Sequence, residues 1–93
     1  MKFVGTWALR PNMYKGATAR FLENRGKPPE GIRTIGRWHY ADASGGIHVF
    51  ECDNAQAITE FMHEWADVLE IDVRPVVEDA EAGAAMAKQA GRS

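Results

Sequence analysis

The 93 residues suffice for one domain and are too few for two, so we expect a single domain over residues 1–93. The net charge of −2 shows no excess of basic residues, which makes a nucleic-acid partner unexpected. No apolar run is long enough to span a bilayer, and Cys52 is the only cysteine, which excludes an intrachain disulfide. We therefore expect a cytoplasmic protein with no membrane partner.

The hydrophobic pattern predicts seven elements in the order βαββαβα. Apolar side chains mark the four predicted strands, which cover Lys2–Leu9, Ile32–Tyr40, Gly46–Cys52 and Ile71–Val77. Helical patterns follow Asn12, follow a cap at Asp53 or Asn54, and cover Glu78–Ala90, with fraying expected at Gly91–Ser93. Pro75 cannot donate a backbone hydrogen bond to a sheet, so we expect the fourth strand at an edge.

This order of elements matches the split βαβ motif. Right-handed crossovers would place the strands in the order 4-1-3-2, all antiparallel, with both main helices on one face. The predicted fold is therefore α+β and ferredoxin-like, with an extra C-terminal helix. One sheet face would stay open, and a second copy of the chain is the commonest cover for such a face in a small domain.

Several stretches together resemble one protein family. They are Trp7-Ala-Leu-Arg-Pro11, Pro28-Pro-Glu-Gly-Ile32, Gly36-Arg-Trp-His39, Phe50-Glu51, Trp65-Ala-Asp-Val-Leu69 and Val73-Arg-Pro-Val76. The chain is similar to an uncharacterised bacterial family in the dimeric α/β-barrel superfamily. The resemblance implies a homodimer in which two sheets face each other, and it implies no activity. Other members of the superfamily include cofactor-free monooxygenases and haem-degrading enzymes, so the fold alone does not define a reaction.

The predicted hairpin between the second and third strands sets which residues share a face. A loop of Asp42–Gly45 pairs Ala41 with Gly46. The register that follows places Trp38 opposite Val49, His39 opposite His48, Arg37 opposite Phe50 and Gly36 opposite Glu51. The apolar set of these strands would then lie together under the helices: Ile32, Trp38, Tyr40, Ile47 and Val49. A slip of one residue would exchange the faces.

On this register, a candidate ligand pocket forms beneath the helices. Trp7, Trp38 and Trp65 would meet at one end of the domain. Gly36 would leave a gap beside them, and Glu51 would point inward. Apolar walls with a few polar groups suit a small aromatic or apolar molecule, and a buried glutamate could serve a cofactor-free enzyme as acid or base. In the alternative interpretation the tryptophans only fill a core, and the protein is a non-catalytic dimer.

A second candidate cluster would lie on the open face. It comprises Arg37, His39 and His48 on the adjacent second and third strands, with Asp72 and Arg74 on the fourth strand at the far edge. Such a group could shuttle protons, bind a metal or hold an anion. The favoured interpretation is simpler, namely hydrogen bonds and ion pairs across a dimer interface. Because two charged histidines repel, we expect that dimer to weaken below about pH 6.

No cofactor and no metal are expected. The helical run from His63 to Asp67 differs from a zinc-protease motif at one position, because Asp67 stands where the second histidine is needed. No phosphate-binding glycine loop and no serine-centred triad motif is present.

Overall fold

The computed structural model describes residues 1–91 and contains the seven elements in the predicted order. They are β1 (Lys2–Leu9), α1 (Tyr14–Asn24), β2 (Ile32–His39), β3 (Gly45–Cys52), α2 (Ala55–Trp65), β4 (Leu69–Val76) and α3 (Asp79–Ala90). The fraying expected at Arg92 and Ser93 lies outside the described residues. Over the described part of the chain, no helix has the length and hydrophobicity needed to cross a membrane.

The four strands form one antiparallel sheet in the order β2-β3-β1-β4, which confirms the predicted α+β topology. β4 pairs only with β1, so Pro75 stands at an edge as expected. Helices α1 and α2 pack on one face of the sheet. The opposite face is open, and α3 buries none of its residues.

The helix ends follow from the local sequence. Asn54, one of the two predicted caps, accepts a hydrogen bond from the backbone N–H of Gln56 at 3.0 Å and so begins α2. Helix α1 ends where Arg25 and Gly26 adopt left-handed backbone angles, with φ of 59° and 62°. A glycine just after a helix is the usual way to end it. The chain then turns sharply toward β2.

The core lies between the helix-covered face of the sheet and the two helices. One cluster joins both helices to the start of β4 and comprises Ala17, Phe61, Trp65, Val68 and Leu69. The second joins β3 to the first turn of α2 and comprises Phe50, Cys52 and Ala57. Cys52 is a buried thiol whose Sγ donates to the backbone oxygen of Asn54 at 3.1 Å. The cysteine therefore serves as a small core residue.

The predicted register between β2 and β3 is wrong. The structure pairs Trp38 with Ile47, Arg37 with His48, His39 with Gly46, and Gly36 with Val49. Each partner on β3 lies two residues closer to the turn than predicted. The four-residue loop is Ala41–Ser44, because the backbone N–H of Tyr40 already bonds to the oxygen of Gly45 at 2.8 Å.

The side chain of Asp42 fixes this position of the turn. Its carboxylate accepts hydrogen bonds from the backbone N–H of Ser44 at 3.0 Å and from the Ser44 hydroxyl at 2.7 Å. Ala43 adopts a left-handed φ of 67° between them. These bonds close the turn one residue earlier than the glycine pair suggested.

A β-bulge at Ile35 makes a second departure from the predicted register. Thr34 pairs with Phe50 and Gly36 pairs with Val49, so β2 has one extra residue between them. Thr34 and Arg37 therefore lie on the same, helix-covered face, although they are three residues apart. Ile32 also packs there, as predicted.

The predicted faces of β3 are also reversed, which is a separate departure, because a register shift of two residues keeps the same residues together on each face. His48 and Phe50 are buried beneath the helices, whereas Ile47 and Val49 lie on the open face beside Trp38. The ring of Trp7 accounts for part of this choice, because it lies over Gly46, where any Cβ would overlap the indole. Because glycine has no Cβ, Gly46 leaves room for the indole ring of Trp7 on the helix-covered face.

Candidate functional site

A cavity of about 310 Å³ lies between the sheet and helices α1 and α2. Most of its wall is apolar and comes from every element except α3. The aromatic and aliphatic lining includes Trp7, Phe21, Phe61, Met62, Trp65 and Ile71. Gly5, at the middle of β1, has no side chain, so the sheet leaves this part of the cavity unfilled.

An ion pair fixes the spacing of the two helices that line the cavity. Arg20 of α1 donates through Nη1 and Nη2 to both oxygens of Asp67, each at 2.8 Å, and through Nη1 to the backbone oxygen of Glu64 at 2.6 Å. The guanidinium also lies over the ring of Trp65, 5.5 Å from its centroid. The hydrogen bonds from Arg20 lower the pKa of Asp67 to about 2. Paired geometry of this kind positions α1 against the end of α2.

His48 is the most deeply buried polar group in the cavity wall. Its side chain lies on β3 and the residue is only 4% exposed. Nε2 lies 2.8 Å from Oγ1 of Thr34, and the ring packs near Phe50 and Phe61 at centroid distances of 4.9 and 5.9 Å. Burial, with a smaller contribution from the charge of Arg37, lowers the pKa of His48 to about 4. The imidazole is therefore neutral at pH 7.

Arg37 brings a positive charge to the same wall. Its Nη1 donates to the backbone oxygen of Gly26 at 2.6 Å, and its Nη2 donates to that of Arg25 at 2.9 Å. Its guanidinium carbon lies 5.5 Å from the ring centroid of Phe21. Burial lowers the pKa of Arg37, but arginine remains protonated at neutral pH. The group is thus a fixed cation held between α1 and the sheet.

His39 completes the polar part of the wall. Its ring makes edge contacts with Trp7 and Phe21, at centroid distances of 5.4 and 5.1 Å. The residue is exposed although it lines the cavity, so it stands where the cavity opens to solvent. None of the described residues that line the cavity is an aspartate or a glutamate.

The structure divides the predicted pocket between the two faces of the sheet. Trp7 and Trp65 line the cavity, as the sequence suggested. Trp38 lies on the open face, is 58% exposed and covers Gly36 with its ring. Glu51 also lies on the open face, where its carboxylate pairs with Arg33 at 2.7 Å. The prediction that Glu51 points inward is therefore wrong, because the faces of β3 are reversed.

The predicted open-face cluster is divided in the same way. Asp72 and Arg74 are on the open face and form an ion pair at 2.9 Å. Arg37, His39 and His48 are on the helix-covered face and belong to the cavity instead. His48 faces Arg37 rather than His39 across the strands, so the expected repulsion of two histidines within a dimer interface has no basis in this geometry.

The predicted pocket did not include the other helical residues of the cavity wall or the contact between Arg37 and the end of α1. Thr18 could have been assigned from helical spacing, since it falls on the inward side of α1. The position of Arg37 depends on the bulge at Ile35, which has no clear signature in one sequence. Within residues 1–91 no three histidine, cysteine, aspartate or glutamate side chains are grouped to hold a metal ion.

The fold and the cavity define a ferredoxin-like α+β protein with an apolar internal site and a charged wall. The chain belongs to the family described as Domain of unknown function (DUF3303), whose sequence pattern matches residues 1–90. This confirms the resemblance to an uncharacterised family. No curated protein matches the sequence.

One solved structure with a similar fold is that of Rv0793 from Mycobacterium tuberculosis. The two chains are 11% identical, and the TM-score is 0.49. The match covers 85% of this chain and 96% of the other.

His48 gives the site a measurable pH signature. In the unfolded chain its imidazole binds a proton near pH 6.5, whereas in the folded protein its pKa is about 4. The unfolded state therefore binds more protons between these values, and stability falls as the pH falls from about 6.5 toward 4. We expect His48 to account for a loss of about 2 kcal/mol in the free energy of unfolding between pH 7 and pH 5.

Chemical denaturation at a fixed protein concentration measures this difference. His48→Gln should remove it, whereas His63→Gln, on the exposed side of α2, should keep it. The carboxylate of Asp67 contributes in the same direction only below about pH 4, outside this window. An unchanged pH dependence in His48→Gln would contradict the burial of the ring.

Proposed function

We propose that this protein is a cytoplasmic homodimer that binds a small aromatic or otherwise apolar molecule in the cavity under α1 and α2. The observation that carries the proposal is the cavity itself, a space of about 310 Å³ in a chain of 93 residues. The cavity opens to solvent beside His39, so it is a cleft rather than a packing void. Its wall is mostly apolar, which favours an apolar occupant over water.

The volume indicates the size of that occupant. Ligand pockets span about 300–1,000 Å³, and this cavity lies at the lower limit. An engineered apolar cavity of about 150 Å³ holds benzene, so about twice that volume suits two fused rings. The aromatic side chains of Trp7, Phe21 and Trp65 offer faces and edges on which such rings could pack.

The chemistry of the polar wall favours binding over catalysis. A general base works best when its pKa is near the working pH. His48, with a pKa of about 4, is too weak a base for that role at pH 7, although its neutral ring can still form hydrogen bonds. Glu51, the acid or base that the sequence suggested, lies on the other face of the sheet. A binding protein therefore fits the cavity better than a cofactor-free enzyme does.

The open face supports the second half of the proposal. Val4, Ile47 and Val49 form its apolar centre on β1 and β3, and Trp38 extends the apolar area onto the edge strand β2. Two ion pairs, Arg33 with Glu51 and Arg74 with Asp72, lie at either side. An apolar centre with a polar rim is typical of a protein interface, and a surface that carries both signs of charge can match a copy of itself. The occupant that we propose for this face is a second copy of the chain.

Filling the cavity should weaken binding without unfolding the protein. Thr18 is half-buried on α1 and lines the cavity, so Thr18→Phe would place a ring inside it. We expect at least a tenfold loss of affinity for a two-ring probe such as 2-naphthamide or 2-naphthoate, measured by titration calorimetry.

Ala19→Phe is the matched control, because the neighbouring side chain is exposed and does not line the cavity. It should bind like the wild type. If no one-ring or two-ring probe binds the wild type and Thr18→Phe is the more stable protein, the cavity is only a gap in the packing. The non-catalytic dimer would then be the better description.

A charge on the open face should separate the two copies. Trp38→Lys puts an ammonium group into the apolar area of that face in both subunits at once, and burying it unpaired is costly. We expect the wild type to be a dimer at micromolar concentration and Trp38→Lys to be a monomer, as measured by light scattering.

Met13→Lys is the control for this experiment. Met13 is 38% exposed and precedes α1, on the helix-covered side of the sheet. The variant should remain dimeric. A wild type that is monomeric throughout the micromolar range would contradict the proposed interface, and so would a Trp38→Lys protein that still dimerises.

A further inference from the structure

We propose that the ligand of this cavity carries one anionic group, such as a carboxylate, and that this group binds at Arg37 while its apolar part fills the space under the helices. This inference rests on the proposed function, since it names the class of molecule that the cavity would take.

The first support is the charge of the wall. Arg37 is the only lysine or arginine among the described residues that line the cavity, and no described carboxylate lines it. The two other residues of the wall that can carry a positive charge are His39 and His48, and His48 is neutral at pH 7. The site therefore has a net positive character in surroundings that are mostly apolar.

The second support is that no described carboxylate forms an ion pair with Arg37. Four other arginines each lie within 4.0 Å of a carboxylate: Arg10 with Glu70, Arg20 with Asp67, Arg33 with Glu51, and Arg74 with Asp72. Arg37 forms hydrogen bonds to two backbone oxygens, which orient it but leave its formal charge in place. A half-buried cation without a counterion favours an anion that can reach it.

The third support is the way in which Arg37 is held. Its hydrogen bonds to Gly26 and Arg25 and its contact with Phe21 fix the guanidinium before any ligand arrives. A guanidinium has five N–H donors, and two of them are used here, which leaves donors for an incoming oxygen. Because the guanidinium is already ordered, the side chain of Arg37 would lose little conformational entropy when an anion binds.

A pair of probes of equal shape tests the inference. 2-Naphthoate and 2-naphthamide differ only in charge, so their affinity ratio reports the effect of the anionic group. We expect the carboxylate to bind the wild type at least tenfold more tightly at pH 7 and low ionic strength, measured by titration calorimetry. Arg37→Gln should bring the ratio close to one, because it removes the charge that distinguishes the two probes.

Arg33→Gln is the matched control, because Arg33 is on the same strand but on the open face. It should keep the wild-type ratio. If neither probe binds the wild type, the proposed function itself fails. If both bind equally, the cavity is a binding site but the charge preference is overturned. An unchanged ratio in Arg37→Gln would also overturn the assignment to Arg37.

A second measurement covers the case in which Arg37→Gln does not fold. An anion at Arg37 would lie near His48 and would favour its protonated form, so 2-naphthoate should raise the pKa of His48 in an NMR titration of the wild type. The amide should not raise it. A pKa of His48 that is the same with both probes bound would overturn the inference without any substitution.

Discussion

The face that β2 and β3 turn toward the helices is the constraint on which the rest of this structure depends. Arg37, His39 and His48 lie under the helices, whereas Trp38, Ile47 and Val49 of the same two strands lie on the open face. The loop Ala41–Ser44 and the bulge at Ile35 set the register within that arrangement. Both halves of the proposed function follow from the choice of face.

The sheet is arranged unusually for a small isolated domain. Trp38, Ile47 and Val49 face outward, while a histidine and an arginine lie under the helices. Outward apolar residues are stabilised if a second copy covers them, and inward polar residues are stabilised if they have a partner. Thr34 partly satisfies His48, and two backbone oxygens partly satisfy Arg37. A second copy of the chain would cover the outward apolar residues, and an anionic ligand would pair with Arg37.

The sequence was sufficient for the elements, the strand order and the edge position of β4, because these depend on periodicity, on Pro75 and on crossover handedness. It was also sufficient to place Trp7 and Trp65 at the cavity. The sequence did not predict the register or the faces of the hairpin between β2 and β3 correctly. Residues Ile47 to Phe50 are apolar on both faces apart from His48, so hydrophobic alternation could not choose between them. The choice depends on contacts distant in sequence, above all the ring of Trp7 over Gly46.

The register itself can be measured directly by NMR. Antiparallel strands bring the backbone protons of paired residues close enough for nuclear Overhauser effects across the hairpin. The structure predicts cross-peaks between Arg37 and His48 and between His39 and Gly46, together with contacts from the Trp7 ring to the backbone of Gly46. Contacts from the ring of Phe61 to that of His48 and from the ring of Phe21 to that of His39 would show that the face with both histidines lies under the helices. Contacts from Phe61 to Ile47 or Val49 instead would turn the charged wall away from the cavity and contradict the account given for both faces.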